Sequence, residues 1–170
     1  LRDYSEVLSG VQLWLTDERW VKSSDMESNS RMIKDSFNSE KIEFLLPKYS
    51  GNSPSIDAIE YTSRLLSSIS NFTHGILGIG EDGHTASLFP NSNALDENGI
   101  KIIATEVSME PSIRLTATFE LLSKIDNLYL LATGSKKKDI VNKVINDIGK
   151  SPTTRLISMR NETFLITDQI

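Results

Sequence analysis

The pattern of apolar and polar positions along the chain predicts strands that alternate with helices. A first strand is predicted at Val11–Asp17, followed by a charged loop, and a second at Thr73–Ile79. Ser53 and Pro54 predict a helix start, because a capping residue and a proline precede apolar residues at helical spacing. Further strands are predicted at 101–107, 112–119, 127–133 and 162–168, and further helices at 26–38 and 136–147.

This alternation predicts an α/β fold, with a mostly parallel, Rossmann-like sheet and flanking helices. The 170 residues suit one globular domain, and no domain boundary interrupts residues 1–170. The Ser/Asn/Gly/Pro-rich stretch 48–55 is predicted to be a loop within that domain. The sequence opens in a helical pattern and lacks an initiator methionine, so we expect upstream sequence to be missing.

Composition narrows the possible functions. The chain has 18 Lys+Arg against 23 Asp+Glu, a net charge of −5, which gives no overall attraction to nucleic acid or anionic membranes. It has no cysteine, which excludes disulfides, thiolate metal sites and a thiol nucleophile. No signal peptide and no apolar run long enough to span a membrane is present. We therefore expect a soluble, cytoplasmic protein.

Three predicted strands end in clusters of polar residues, namely 17–19, 80–84 and 134–138. Ligands of open α/β sheets bind beyond the carboxyl ends of the strands, so the three clusters predict one site. Each cluster also has a structural explanation when taken alone. The first could be a solvated turn, the second a tight turn built on glycines, and the third a helix start with exposed lysines.

The second cluster, in the sequence GEDGH, carries the most chemistry. A neutral imidazole such as that of His84 can take a proton from water near neutral pH. Asp82 could orient the ring or stabilise the imidazolium that forms. Gly80 and Gly83 would let backbone amides approach a developing oxyanion. This set of groups suits attack of water on a carbonyl, whereas His74 is predicted to be structural and no histidine spacing typical of a metal site is present.

Five segments together resemble the 6-phosphogluconolactonase family. They are LWLTDERWV, ESNSRMI, LGIGEDGHTASLFP, SIRLTATFELL and LLATGSKKKDIV, in the family's order between Val11 and Asp168. The related glucosamine-6-phosphate deaminases share the GxGxDGH core but continue differently. The continuation TASLFP is similar to that of the lactonases.

The resemblance implies hydrolysis of 6-phospho-D-glucono-1,5-lactone to 6-phosphogluconate, the second step of the oxidative pentose phosphate pathway. His84 would be the general base that activates water, Asp82 its partner, and the amides of Gly80 to Gly83 the oxyanion donors. The family reaction uses neither a metal nor an organic cofactor. The expected partner is the phosphorylated sugar lactone, without nucleic acid or membrane, and the oligomeric state is left open.

The resemblance also implies substrate-binding residues. Lys137 aligns with a family lysine that holds the substrate phosphate, and Arg19 and Arg114 match family positions that line the same pocket. The DER and Ser-Asn motifs would shape the loop over the sugar, through Asp17, Glu18, Ser28 and Asn29. A purely structural role fits Ser28 and Asn29 equally well.

The chain departs from the family pattern in one respect. The family's first strand and its Ser-Gly-Gly-Ser-Thr-Pro phosphate loop, which would hold the phosphate at a helix N-terminus, do not occur in these residues. We expect the chain to be N-terminally incomplete relative to the family. Two alternative functions stay open, a deaminase and isomerase of the glucosamine-6-phosphate type and a non-catalytic sugar-phosphate sensor domain.

Overall fold

The computed structural model describes residues 8–37, 41–146 and 150–169. Helices and strands alternate along most of the chain. The strands are β1 (Gln12–Trp14), β2 (Asp17–Arg19), β3 (Glu43–Leu45), β4 (His74–Gly78), β5 (Ile102–Glu106), β6 (Ile113–Ala117), β7 (Asn127–Ala132) and β8 (Phe164–Thr167). The α-helices are α1 (Asn29–Ser36), α2 (Pro54–Ser68), α3 (Phe119–Ser123), α4 (Lys138–Ile145) and α5 (Pro152–Ser158).

The strands form three short sheets with the orders β1-β3, β2-β6-β5 and β4-β7-β8. The pairs β1 with β3, β4 with β7, and β7 with β8 are all parallel. In the third sheet His74 lies opposite Asn127, and Tyr129 lies opposite Phe164. The predicted α/β architecture with mostly parallel pairing is therefore confirmed, although the strands belong to several sheets.

The described residues fall into two compact units. Unit 1 lies within Leu1–Ser70 and Ile102–Leu115, and unit 2 lies within Asn71–Lys101 and Thr116–Ile170. Organisation of residues 1–170 as one domain stays a prediction.

Unit 1 has its core around helix α2. Ser53 caps this helix and accepts a hydrogen bond from the Ile56 N–H, as its sequence predicts. Tyr61 is 2% exposed, and its hydroxyl bonds the backbone of Leu15 and the carbonyl of Leu45. Because those two residues follow or end β1 and β3, one phenol fixes both strands against the helix.

Unit 2 has its core on one face of the sheet β4-β7-β8. Leu128 and Leu130 of β7 are fully buried there, with Leu77 of β4. Within the described residues the opposite face is open, and Ile76 is 71% exposed. The strand predicted at Thr73–Ile79 is therefore buried on one face only in the described chain.

Most predicted elements are found, with shorter bounds. The residues DER, predicted as a loop, instead form β2, because they join the sheet with β6, where the Trp20 N–H donates to Ile113 O at 2.9 Å. The pattern also missed β3, α3 and α5, which are only three, five and seven residues long. Residues 38 and 147, at the ends of two predicted helices, lie outside the described residues.

In the part of the chain that the structure describes, no helix is both long and apolar enough to cross a bilayer.

Candidate active site

The sequence GEDGH forms a tight turn directly after β4. The Gly80 N–H donates to His84 O at 2.8 Å, and the Gly83 N–H donates to Gly80 O at 2.9 Å. Gly83 has a φ of +85°, a conformation that costs a residue with a side chain about 1–2 kcal/mol. The turn therefore returns the chain on itself within five residues, and it presents the side chains of Asp82 and His84.

His84 and Asp82 form a hydrogen-bonded pair on this turn. The His84 Nδ1 lies 2.6 Å from Asp82 Oδ1, and the His84 N–H donates to the same oxygen at 3.1 Å. The ring stacks on Phe89 with 4.1 Å between centroids. Nε2 has no hydrogen-bond partner among the described residues. The imidazole is thus fixed through one nitrogen and offers the other for chemistry.

The carboxyl of Asp82 is ionised more readily than an ordinary aspartate. Burial by itself would raise its pKa, but the hydrogen bonds and the charge interaction with His84 outweigh burial and hold the pKa below its usual range. An ionised carboxylate accepts a proton-bearing Nδ1, which leaves the lone pair on Nε2. Asp82 therefore selects the tautomer in which Nε2 is the base.

The two glycines are required by the shape of the turn. A Cβ at Gly80 would overlap the His84 ring and Asp82 Oδ1, so a side chain there would displace the pair. The N–H groups of Gly80 and Gly83 are already used within the turn. In this structure the two glycines shape the turn that positions His84, and binding of an oxyanion by the amides of Gly80 to Gly83 stays a prediction.

Helix α5 packs against the turn and donates hydrogen bonds to it. The sequence pattern did not predict this helix. The Thr153 hydroxyl donates to Gly83 O at 2.9 Å, and the Thr153 N–H donates to the same oxygen at 3.1 Å. Ser151 caps the helix in a reciprocal arrangement with Thr154. The serine and threonines in this segment give a capping signal in the sequence, although the helix is short.

Lys137 reaches the end of the same strand. Its ammonium donates to Ile79 O at 2.6 Å, one residue before the turn begins. It lies in the segment after β7, where Gly134 has a φ of +89° and its N–H donates to the Asp168 carboxylate at 2.9 Å. Since an ammonium carries three donors, Lys137 keeps two for another group.

In unit 1, Glu18 is an internal anchor. Its carboxylate is buried and accepts the N–H of Arg19 and of Asn29 on one oxygen, both at 2.7 Å. The other oxygen accepts the Ser30 N–H at 2.7 Å and the Ser28 hydroxyl at 3.2 Å. Both oxygens are therefore engaged, and the carboxylate joins β2 to the first turn of α1.

The Ser-Asn motif completes this connection. Ser28 caps α1 and accepts the Arg31 N–H at 3.2 Å, while the Asn29 side-chain amide donates to Asp17 O at 3.1 Å. These contacts support the structural interpretation of Ser28 and Asn29. A role of Asp17, Glu18 and Asn29 in binding substrate stays a prediction.

Two arginines lie near this anchor. Arg19 donates to Glu27 O at 2.7 Å and pairs with the Glu27 carboxylate at 3.5 Å. Arg114 is 4% exposed, and its buried Nε has no hydrogen-bond partner in the described residues. Burial, followed by repulsion from Arg19, lowers the pKa of Arg114, and nearby carboxylates oppose this. A buried guanidinium with an unsatisfied donor is well suited to meet an anion.

These elements define an α/β protein with a histidine-carboxylate pair and a lysine at the carboxyl end of a parallel strand, the usual place of ligand sites in such folds. The chain belongs to the glucosamine-6-phosphate isomerase/6-phosphogluconolactonase family, whose model matches residues 4–165. The family predicted from the motifs is therefore confirmed.

Curated relatives share moderate sequence identity. The chain is 30% identical over 172 residues to a probable 6-phosphogluconolactonase of Schizosaccharomyces pombe, covering 89% of this chain and 66% of that protein. It is 32% identical over 141 residues to the 6-phosphogluconolactonase of Helicobacter pylori, covering 78% of this chain and 60% of that protein. The chain thus spans less than two thirds of the length of these relatives.

Solved structures share the fold. The 6-phosphogluconolactonase from Trypanosoma cruzi superposes with a TM-score of 0.83 at 24% identity, covering 98% of this chain and 75% of that one. A 6-phosphogluconolactonase from Shewanella baltica has a TM-score of 0.79 at 25% identity, covering 92% and 70%. Absence of the family's first strand and phosphate loop stays a prediction.

Proposed function

We propose that this chain hydrolyses 6-phospho-D-glucono-1,5-lactone to 6-phosphogluconate in the oxidative pentose phosphate pathway. The observation that carries the proposal is the 2.6 Å contact of His84 Nδ1 with Asp82, which leaves Nε2 without a partner among the described residues. The family contains isomerases and lactonases, and the named relatives above are lactonases. We further propose that the protein acts in the cytoplasm, which agrees with its lack of cysteine.

The first step is proton removal from water. His84 Nε2 takes one proton from a water molecule as the water oxygen bonds to C1 of the lactone. The electron pair of the C1 carbonyl moves onto its oxygen, which gives a tetrahedral oxyanion. Asp82 stabilises the imidazolium through Nδ1, and its lowered pKa keeps the carboxylate charged for this role.

The second step opens the ring. The oxyanion reforms the carbonyl, and the bond between C1 and the ring oxygen breaks. The imidazolium of His84 returns its proton to that oxygen, which becomes the hydroxyl of the open chain. The new carboxylic acid then loses a proton to solvent, so His84 ends the cycle neutral and no other reactant is consumed.

Cations are needed for the substrate phosphate, because a partly desolvated dianion is costly without them. We assign this role to Lys137, whose remaining donors lie at the end of β4. Arg114 and Arg19 stay proposed substrate-binding residues, supported by the unsatisfied Nε of Arg114. The segments 17–19 and 28–29 are proposed to shape the sugar-binding loop.

Replacing Lys137 by methionine should mainly weaken binding of the phosphorylated substrate. The change removes the charge but keeps the length of the side chain, and we expect KM to rise about tenfold or more with a smaller change in kcat. Initial rates over a range of lactone concentrations give both constants. Lys136→Met is the matched control, because the Lys136 side chain is exposed and makes no hydrogen bond in the described residues. An unchanged KM in the Lys137 variant would remove it from the phosphate site.

Replacing Asp82 by asparagine should lower kcat by about 10²-fold or more. An amide at this position no longer fixes the Nδ1–H tautomer and no longer balances the imidazolium charge. The measurement is kcat for lactone opening, with Glu81→Gln on the same turn as control. Equal losses in the two variants would show that Asp82 has no special place in the reaction.

Substrate identity separates the lactonase from the deaminase. Purified protein is incubated with the phosphorylated lactone and, in parallel, with glucosamine 6-phosphate. We expect faster loss of the lactone signal in the NMR spectrum than in buffer, and no ammonia from the amino sugar. Ammonia release without lactone opening would favour the isomerase branch of the family.

A further inference from the structure

Unit 1 contains a basic cavity that the proposed reaction does not use. Its volume is about 650 Å³, within the range of about 300–1,000 Å³ that small-molecule sites occupy. None of the residues assigned above to the lactone or its phosphate lines this cavity. Its walls are formed by the described residues Lys22, Ser23, Ser24, Lys34, Phe44, Leu46, Pro47, Lys48, Tyr49 and Arg64.

All the charged residues that line this cavity are cationic. Four of the 18 Lys and Arg residues of an acidic chain line it, and none of its described lining residues carries a carboxylate. Lys22, Lys34 and Lys48 are exposed and form no ion pair within the described residues. Because like charges around one space repel each other, the arrangement favours an anion with several charges.

Arg64 is the fixed cation of the group. Its guanidinium donates to Leu46 O at 2.7 Å and lies 5.5 Å from the centre of the Tyr61 ring. These contacts hold it half-buried at the wall of the cavity. The guanidinium has further donors for a phosphate, and little side-chain freedom remains to be lost on binding.

Aromatic surface lies beside the cations. Tyr49 is 38% exposed and packs against Trp20 with 4.8 Å between ring centroids. Phe44 is half-buried in the same wall. An exposed aromatic ring with a second ring behind it offers a face on which a nucleobase can stack.

A small side cavity adds an unsatisfied hydroxyl. It measures about 20 Å³ and shares Ser23, Pro47, Lys48 and Tyr49 with the large cavity. Ser30 lines it, is 4% exposed, and its Oγ has no hydrogen-bond partner in the described residues. A ligand atom or a single water in this space would satisfy that hydroxyl.

We propose that this cavity binds a nucleoside triphosphate, with the phosphates among Lys22, Lys34, Lys48 and Arg64 and the base against Tyr49. The cations account for the phosphates and the aromatic ring for the base. The large cavity shares no lining residue with the proposed lactone site, whereas Glu18, Arg19 and Ser28 of that site line the small side cavity. Nucleotide binding in the large cavity does not depend on the proposed reaction being correct.

Isothermal titration calorimetry with ATP, inorganic triphosphate and adenosine tests the proposal. We expect ATP to bind, triphosphate to bind more weakly, and adenosine to give no measurable heat. The variant Lys34→Glu/Lys48→Glu should weaken ATP binding about tenfold or more. The matched control Lys124→Glu/Lys143→Glu changes the net charge equally and should leave ATP binding within about twofold.

A third variant tests the contact between Tyr49 and the nucleobase. Tyr49→Ala should weaken ATP binding and leave triphosphate binding unchanged. The proposal is overturned if ATP gives no heat, if both charge variants weaken binding equally, or if triphosphate binds as tightly as ATP. Circular dichroism verifies folding of each variant, and the milder pair Lys34→Ala/Lys48→Ala replaces the first if it fails to fold. Lactone opening measured on the same proteins should keep the wild-type rate.

Discussion

Replacing His84 by asparagine is expected to lower kcat for lactone opening by about 10²–10⁴-fold, the range typical of a lost general base. The asparagine amide can still donate to Asp82, in place of the Nδ1 that now lies 2.6 Å from Oδ1. It has no basic group at the position of Nε2. The substitution therefore keeps the contact with Asp82 and removes the proton acceptor, together with the ring that stacks on Phe89.

The rates must be compared with the spontaneous opening of the lactone in water, which sets the lowest measurable value. Binding of the product 6-phosphogluconate, measured by calorimetry, serves as the control for an intact site. We expect its Kd to change by less than about threefold, because the lost group acts on the water and not on the phosphate. A variant that retains the wild-type kcat would exclude His84 as the base.

Replacing Glu18 by glutamine is expected to destabilise the fold by about 3 kcal/mol. The carboxylate accepts three backbone N–H groups and one hydroxyl, and the new amide would turn a donor toward some of these donors. Each buried N–H that loses its acceptor costs about 1–3 kcal/mol, part of which water can recover. Urea denaturation followed by circular dichroism measures the change.

Glu97→Gln is the matched control for this substitution. Glu97 carries a carboxylate that is 49% exposed and pairs with Lys101 at the surface. Surface pairs of this kind contribute about 0–1 kcal/mol, so we expect little change in the midpoint. If the Glu18 and Glu97 variants unfold at the same urea concentration, Glu18 is not the anchor of β2 and α1.

Much of the fold could be predicted from the sequence, because long elements leave periodic patterns. The helix that begins after Ser53 and the strands at 74–78 and 127–132 have capping or apolar signals over several residues. The elements β3, α3 and α5 were missed, because a strand of three residues or a helix of two turns or fewer has too few positions to establish its period. The division of the strands among three sheets could not be predicted, because it depends on pairing between residues that are far apart in the sequence.

Some contacts of the candidate site could likewise be predicted from the sequence, and others could not. The pair of Asp82 and His84 is local, two residues apart in one turn, so the motif alone indicates it. Thr153 contacts Gly83 from 70 positions away along the chain, and the sequence gives no sign of that contact. The burial of Glu18 could not be predicted either. A charged residue after a strand is ordinarily exposed, whereas Glu18 accepts hydrogen bonds from backbone N–H groups of α1.

The most direct test is the rate of opening of 6-phospho-D-glucono-1,5-lactone at several concentrations of the purified protein, against an identical sample without protein. The account predicts a rate that rises in proportion to protein concentration above the spontaneous rate. A rate equal to that of buffer, from folded protein that still binds 6-phosphogluconate, would contradict it.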